Sequence, residues 1–140
     1  MAATPIALDT NILVRYLAQD DPRQSAAATR LIESLGPQRR AYLSLVTILE
    51  TVWVMEGRYG ASRREVRSIL EDLLKQDAFE IQEADGLRDA LGHFARPSVD
   101  LHDALILCLA QQRKAKVLTF DRKAAKHLGM QLLSTQEALN

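Results

Sequence analysis

The sequence predicts an α/β protein with a central parallel sheet of about five strands, flanked by helices. Short apolar runs of strand length alternate with longer runs of helical periodicity along the whole chain, which is typical of parallel sheets with helical crossovers. A hydrophobic fraction of 47% is ordinary for a folded protein and too high for disorder. A length of 140 residues suits a single core, so we expect one domain over residues 1–140.

The strands are predicted from apolar runs that are bounded by turn or cap residues. The first run ends in Asp9 and is followed by a change of period, from strand to helix. In chain order, the predicted strands cover 6–9, 41–44, 79–82, 116–120 and 130–134.

The helices are predicted from caps and apolar spacing. Pro22, after Asp20 or Asp21, is at the favoured first helical position. Ser62, with Glu65 three residues later, has the pattern of a capping box. The predicted helices run from Thr10 or Asn11 to 17, then over 22–35, 46–57 or 46–60, 62–76, 85–95, 100–115 and 121–129, with a last turn capped by Ser134 and Glu137.

The charge balance excludes a general electrostatic attraction to nucleic acid or membrane, since the 18 basic side chains equal the 18 acidic ones in number. A nucleic-acid site would need a local patch or a bound cation. Cys108 lies in an apolar run and has no second cysteine to pair with, which predicts a core thiol in a reducing cytosol. We read no signal peptide and no membrane span, and expect a soluble cytoplasmic protein.

Three aspartates are candidates for a site at the carboxyl ends of the strands, where ligands of such sheets bind. Asp9 and Asp121 follow predicted strands, and Asp103 lies in the first turn of a predicted helix. Each has a simpler explanation. Asp is among the best N-caps, and an acidic residue in a first turn favours the helix dipole. The residues alone leave both explanations open.

Glu50 is different because it lies in the middle of a predicted helix, where no cap explains it. The run around it, LVTILETVWVM, is apolar on almost every side, which predicts a helix mostly buried in the core. A carboxylate there is costly unless it is paired or bound to a metal. The alternative is a narrow solvated stripe that Glu50 shares with Thr47.

Small polar residues also stand at the strand ends. Singly, each is best explained as a turn or cap former. Together at one sheet edge, they would suit hydrogen bonds to metal-bound carboxylates and water. These residues are Thr10, Asn11, Ser44 and Thr119.

A cluster of carboxylates needs a counter-charge to stay ionised. Oxygen-only ligands favour Mg²⁺ or Mn²⁺ over zinc. Such ions activate water and stabilise the leaving oxygen of a phosphodiester. The residues therefore predict metal-dependent phosphodiester hydrolysis.

Four motifs in a fixed order, LDTNILV, SLVTILE, DLHDALI and LTFDRK, resemble those of PIN-domain nucleases, and most nearly the VapC-type toxins of bacterial toxin–antitoxin pairs. The resemblance covers essentially the whole chain. It implies that the family's four acids correspond to Asp9, Glu50, Asp103 and Asp121. Asn11 and Thr119 also match motif positions, and Asp100 would cap a helix or support the site.

The resemblance implies about five parallel strands, a Mg²⁺ site that also accepts Mn²⁺, and endonucleolytic cleavage of RNA. It further implies a homodimer and an inhibitory antitoxin that threads a segment, often with an arginine, across the groove. Candidate cations for the substrate phosphates are Arg15, Arg122 and Lys123, together with Lys126, although a solvated helix face is the simpler explanation for each.

Two other classes of function stay open. One is a PIN-like module that binds RNA or a protein partner without cleaving. The other is an aspartate-dependent phosphotransfer fold, such as a receiver domain or a dehalogenase-like phosphatase, which also places an Asp after its first strand. Phosphatases of that kind favour a second Asp where this chain has Asn11, and neither fold explains Glu50.

Overall fold

The computed structural model describes residues 4–135 of the chain. These residues form an α/β fold with seven helices and five strands, and every strand pair is parallel. The predicted fold class is therefore confirmed. The chain divides into two compact units, Met1–Ala84 and Asp85–Asn140. Of the predicted last turn, Glu137 lies outside the described residues.

The first unit contains a parallel sheet of three strands in the order β1-β2-β3. Its register places Ile6 beside Ala41, and Ala41 beside Phe79. Helix α1 packs against both α2 and α3. In chain order the elements are β1 (Ile6–Ala7), α1 (Thr10–Ala18), α2 (Pro22–Glu33), β2 (Ala41–Leu43), α3 (Leu45–Gly57), α4 (Arg63–Lys75) and β3 (Phe79–Ile81).

The helices of the first unit begin at the residues that the sequence marks as caps. Asp9 caps α1, Asp21 caps α2 with Pro22 behind it, and Ser44 caps α3. Ser62 and Glu65 form the complete capping box of α4. Since each cap satisfies N–H groups that have no partner within the helix, it fixes where the strand or loop before it must stop.

The second unit holds a pair of parallel strands, with Leu118 beside Gln131 and Thr119 beside Leu132. Asp100 and Asp121 cap its second and third helices. Helix α5 begins at Ala84, the last residue of the first unit, and otherwise belongs to the second unit. In chain order the elements are α5 (Ala84–Phe94), α6 (Leu101–Gln112), β4 (Leu118–Thr119), α7 (Arg122–Leu128) and β5 (Gln131–Leu132).

The sheet differs from the predicted one in its pairing. Within residues 4–135 the strands hydrogen-bond as one sheet of three and one of two. They are also shorter than the apolar runs, as the strand predicted over 116–120 pairs only at Leu118–Thr119. Apolar character marks a segment that can be buried, whereas ladder hydrogen bonds depend on a partner strand at the right register.

The prediction that α3 is mostly buried is wrong. Val46 is 65% exposed and Trp53 is 74% exposed, and Glu50 between them is exposed as well. Thr47 lies on the buried side, so it does not share a solvated stripe with Glu50. Hydropathy counts the apolar residues of a helix but does not reveal which of its sides the rest of the fold covers.

Cys108 is a free thiol in the buried side of α6, as predicted, and burial raises its pKa. Among the helices of residues 4–135, none is both long enough and apolar enough to cross a bilayer.

Candidate functional site

Asp9 stands where the chain leaves β1 and enters α1. Its backbone is extended, and its Oδ1 accepts a hydrogen bond of 2.7 Å from the N–H of Thr10. The side chain is exposed. Asp9 is thus a helix cap, but the cap uses one carboxylate oxygen and leaves the other available to a cation.

Glu50 is brought to this connection by a hydrogen bond from the residue after Asp9. The hydroxyl of Thr10 donates to Oε2 of Glu50 at 3.1 Å, across 40 positions of sequence. Two of the predicted acids are therefore linked to Thr10. Asp9 is its neighbour in the chain, and Glu50 accepts its hydrogen bond.

Thr47 adds a second connection between α3 and the end of β1. Ser44, the cap of α3, donates its hydroxyl to Thr47 Oγ1 at 3.2 Å, and Thr47 in turn donates to the carbonyl of Leu8 at 3.4 Å. Thr47 is absent from the site that the sequence predicts. The sequence does contain a signal that could have identified Thr47. It lies three residues after the cap Ser44 and three before Glu50, and residues three apart are neighbours on a helix.

Asn11 and Arg15 lie farther along α1 and line a cavity of about 420 Å³ that α1 and α2 form. Asn11 is exposed. The remaining lining residues are Ile12, Gln24, Ala27, Ala28 and Leu31.

Arg15 is engaged within its own unit. Its guanidinium lies 3.1 Å from Asp20 and 2.8 Å from Gln24, and it also donates to the hydroxyl of Tyr59. Tyr59 donates to Asp20 as well. The Tyr59 hydrogen bond, with the charge of Arg15, holds the pKa of Asp20 below its usual value. Arg15 thus ties α1 to α2 and to the loop after α3, while its role in substrate binding stays a prediction.

In the second unit, Asp121 caps α7 with a single carboxylate oxygen, as Asp9 caps α1. Its Oδ1 accepts from the N–H groups of Lys123 at 2.8 Å and Ala124 at 3.1 Å. Thr119, at the end of β4, accepts from the N–H of Asp121 at 2.9 Å. The threonine therefore fixes the turn that presents Asp121.

Asp103 lies in the first turn of α6, and its N–H donates to Oδ1 of the cap Asp100 at 3.1 Å. The pKa of Asp103 is raised, first by burial of its half-buried carboxyl group and then by the negative charges of Asp100 and Asp121. His102, whose Nδ1 is 3.8 Å from Asp100, acts in the opposite direction. Repulsion of this kind is what a divalent cation would relieve.

The donors of both units fit Mg²⁺ or Mn²⁺ in kind, because they are carboxylate and hydroxyl oxygens. Asp9, Asp100 and Asp121 each give one oxygen to a helix N-terminus and keep the other. No group of three or more His, Cys, Asp or Glu side chains in the described part of the chain is arranged to hold a metal ion.

The family model of the PIN domain matches residues 6–129. This chain belongs to the PIN domain family. PIN domains are generally nucleases and typically use divalent metal ions. The matched span of this PIN domain includes Asp9, Glu50, Asp103 and Asp121. In a search of curated proteins, none is similar enough to the chain to count as a match.

The electrostatic repulsion in the second unit predicts a measurable shift. Asp121→Asn keeps a good N-cap but removes a negative charge, so we expect the pKa of Asp103 to fall. Its folded-state pKa lies above the unfolded value, so the free energy of unfolding falls as pH rises between the two values. A pH titration of the carboxyl carbons by NMR, with EDTA present, measures the shift.

Asp89→Asn is the matched control, since Asp89 is an exposed acid of α5 in the same unit that does not contribute to the Asp103 shift. An Asp103 pKa that is the same in Asp121→Asn and in Asp89→Asn would contradict the described geometry.

Proposed function

We propose that this PIN domain is a Mg²⁺-dependent endoribonuclease that also accepts Mn²⁺. The observation that carries the proposal is the intact acid set within the matched family span, with Asp9 and Glu50 attached to one segment by the Thr10 hydrogen bond. The oxygen-only chemistry of the donors supports a hard divalent cation.

The proposed cation ligands are the four acids of the motifs, Asp9, Glu50, Asp103 and Asp121. A bound divalent cation supplies charge neutralisation, a lowered pKa for water and stabilisation of the leaving oxygen. The capping hydrogen bonds of Asp9 and Asp121 orient these carboxylates before a cation arrives. Asn11, Ser44, Thr119 and Asp100 would support the ligands through hydrogen bonds.

The exposure of Asp9, Glu50 and Asp121 suits a polymeric substrate, because a phosphodiester within a long chain must reach the carboxylates without entering a closed cavity. The net charge of the chain is zero, so phosphate binding depends on local cations. Arg122 and Lys123, next to Asp121, are the proposed phosphate contacts.

Removing one carboxylate charge tests the nuclease proposal. Asp9→Asn and Glu50→Gln should each lower cleavage of purified RNA in Mg²⁺ by roughly a thousandfold, because metal ions contribute several kcal/mol of transition-state stabilisation. Initial rates on a fluorescent RNA give the comparison, and circular dichroism checks that the fold survives.

Glu56→Gln is the matched control, since Glu56 is an exposed glutamate of the same helix α3. Full activity in both Asp9→Asn and Glu50→Gln, or activity that a chelator does not abolish, would refute the proposal. RNA binding without cleavage by the wild type would instead favour a PIN-like binding module.

We expect the side chains of Arg122 and Lys123 to contribute to RNA binding in a salt-dependent way. Both lie in the first turn of α7, where a positive charge opposes the helix dipole, so helix stability does not explain them. The double change to alanine should weaken binding and reduce the salt slope by roughly 0.7 for each phosphate that is no longer neutralised. Fluorescence anisotropy in the non-cleaving Asp9→Asn background measures both the affinity and its salt dependence.

Lys75→Ala removes an exposed lysine in the last turn of α4 and serves as the control. If the Arg122/Lys123 variant binds RNA with the affinity and salt slope of this control, the proposed phosphate contacts are wrong, whereas the nuclease proposal is unaffected.

We also propose that the chain is the toxin of a VapBC-like pair and forms a homodimer. The motifs LDTNILV and SLVTILE and their order support the assignment, since they resemble those of VapC-type toxins. Exposed carboxylates suit an antitoxin segment that carries an arginine, because a guanidinium pairs with a carboxylate through two parallel hydrogen bonds.

Expression in a bacterial host provides the test of the toxin proposal. Induction of the wild type should arrest growth, Asp9→Asn should not, and co-expression of the product of the adjacent gene should relieve the arrest. Growth curves with immunoblots for protein level measure the effect. Normal growth despite strong wild-type accumulation would contradict the toxin proposal and leave the nuclease proposal standing.

A further inference from the structure

Three buried threonines of the first unit either lie on α3 or hydrogen-bond to it. Thr10, Thr47 and Thr51 are buried, with exposures of 9%, 8% and 1%. A buried hydroxyl costs free energy unless it is hydrogen-bonded. Among the described residues, no buried side-chain nitrogen or oxygen lacks a partner. The partners of these three threonines therefore indicate what each hydroxyl stabilises.

The partners divide the threonines into two kinds. Thr51 donates to the carbonyl of Thr47 at 2.7 Å, one turn back in its own helix. Thr10 and Thr47 instead connect α3 to the end of β1: Thr10 donates to Glu50, and Thr47 donates to the carbonyl of Leu8. We call Thr10 and Thr47 the threonine clamp.

The threonine clamp brackets Asp9 in sequence. One of its hydrogen bonds ends on Leu8, the residue before Asp9, and the other begins on Thr10, the residue after it. Leu8 is also held on its other side, because its N–H donates to the carbonyl of Tyr42 in β2. The backbone that carries Asp9 is thus fixed relative to the helix that carries Glu50.

We propose that Thr10, assisted by Thr47, is the positioning residue that holds the Glu50 carboxylate at the segment that carries Asp9 and thereby sets the affinity for the divalent cation. The cation part of this inference rests on the proposed function. The hydrogen bonds themselves do not.

The need for such a residue follows from the exposure of Glu50. Glutamate has many rotamers, and ordering an exposed one costs side-chain entropy at the moment a ligand binds. Thr10 is stiff at χ1 because it is β-branched, and burial restricts it further. A hydrogen bond to an ionised acceptor is among the stronger ones. It engages Oε2 alone, so the second oxygen of Glu50 is left for a cation.

Thr47 has the smaller part. Its hydrogen bond to Leu8 is long, at 3.4 Å, against 3.1 Å for the bond from Thr10 to Glu50. It acts on the backbone before Asp9 rather than on a carboxylate. We therefore expect the loss of the Thr47 hydroxyl to weaken cation binding less than the loss of the Thr10 hydroxyl.

The first experiment examines the clamp without metal or RNA. Melting temperatures are measured in EDTA for the wild type, Thr10→Val, Glu50→Ala and the double variant. If the hydrogen bond stabilises the fold, Thr10→Val lowers the melting temperature of the wild type more than that of Glu50→Ala, since the effects of residues that interact directly are not additive. Equal shifts in the two backgrounds would overturn the clamp.

The second experiment measures binding of Mn²⁺ alone by titration calorimetry. Thr10→Val should weaken binding about tenfold or more, because loss of a hydrogen bond to a metal ligand has this effect. Thr10→Ser keeps the hydroxyl and should restore affinity near that of the wild type. Thr47→Val should give an intermediate loss. Thr51→Val, which removes a buried hydroxyl that bonds only within α3, should bind as the wild type does.

The outcomes separate the two proposals. Wild-type affinity in Thr10→Val, or equal losses in Thr10→Val and Thr51→Val, would refute a positioning role while RNA cleavage by the wild type still stands. Failure of the wild type to bind Mn²⁺ would refute the proposed function, and with it the claim that Thr10 sets cation affinity. The melting temperatures would then decide whether the clamp itself exists.

Discussion

The unpaired N–H groups at the start of each helix impose the constraint on which the rest of this structure depends. A helix that begins next to a parallel strand needs a side-chain acceptor at that point. Asp9 and Asp121 supply it at the starts of α1 and α7. Because a cap satisfies the helix with one carboxylate oxygen, the requirement of the fold places a second oxygen at the end of a strand, where ligands of parallel sheets bind.

Capping and metal binding therefore do not compete for these aspartates. Taken one at a time, each is explained as a cap, and the structure agrees with that explanation at Asp9, Asp100 and Asp121. A carboxylate has about four acceptor positions, and the caps use only one oxygen of each group. The same residue can fold the chain and carry chemistry.

Glu50 shows the limit of hydropathy as a guide to burial. Its apolar surroundings in sequence predict a buried carboxylate, whereas the structure places Glu50 between exposed Val46 and Trp53. Its association with Asp9 comes instead from the Thr10 hydroxyl, which is the buried partner in that hydrogen bond. Hydropathy therefore draws attention to Glu50 because it predicts a buried carboxylate, and the structure shows that this carboxylate is exposed.

The sequence by itself determined the element types and the cap of nearly every helix, because capping and apolar period are local and act within four residues or so. It also supplied the four candidate acids, since their motifs are contiguous in the chain. Tertiary structure alone decided strand pairing, the exposed side of α3, the hydrogen bond of Arg15 with Tyr59 and the hydrogen bond of Thr10 with Glu50. Each of these depends on groups that are distant in sequence or on which faces are covered, and no local pattern encodes either.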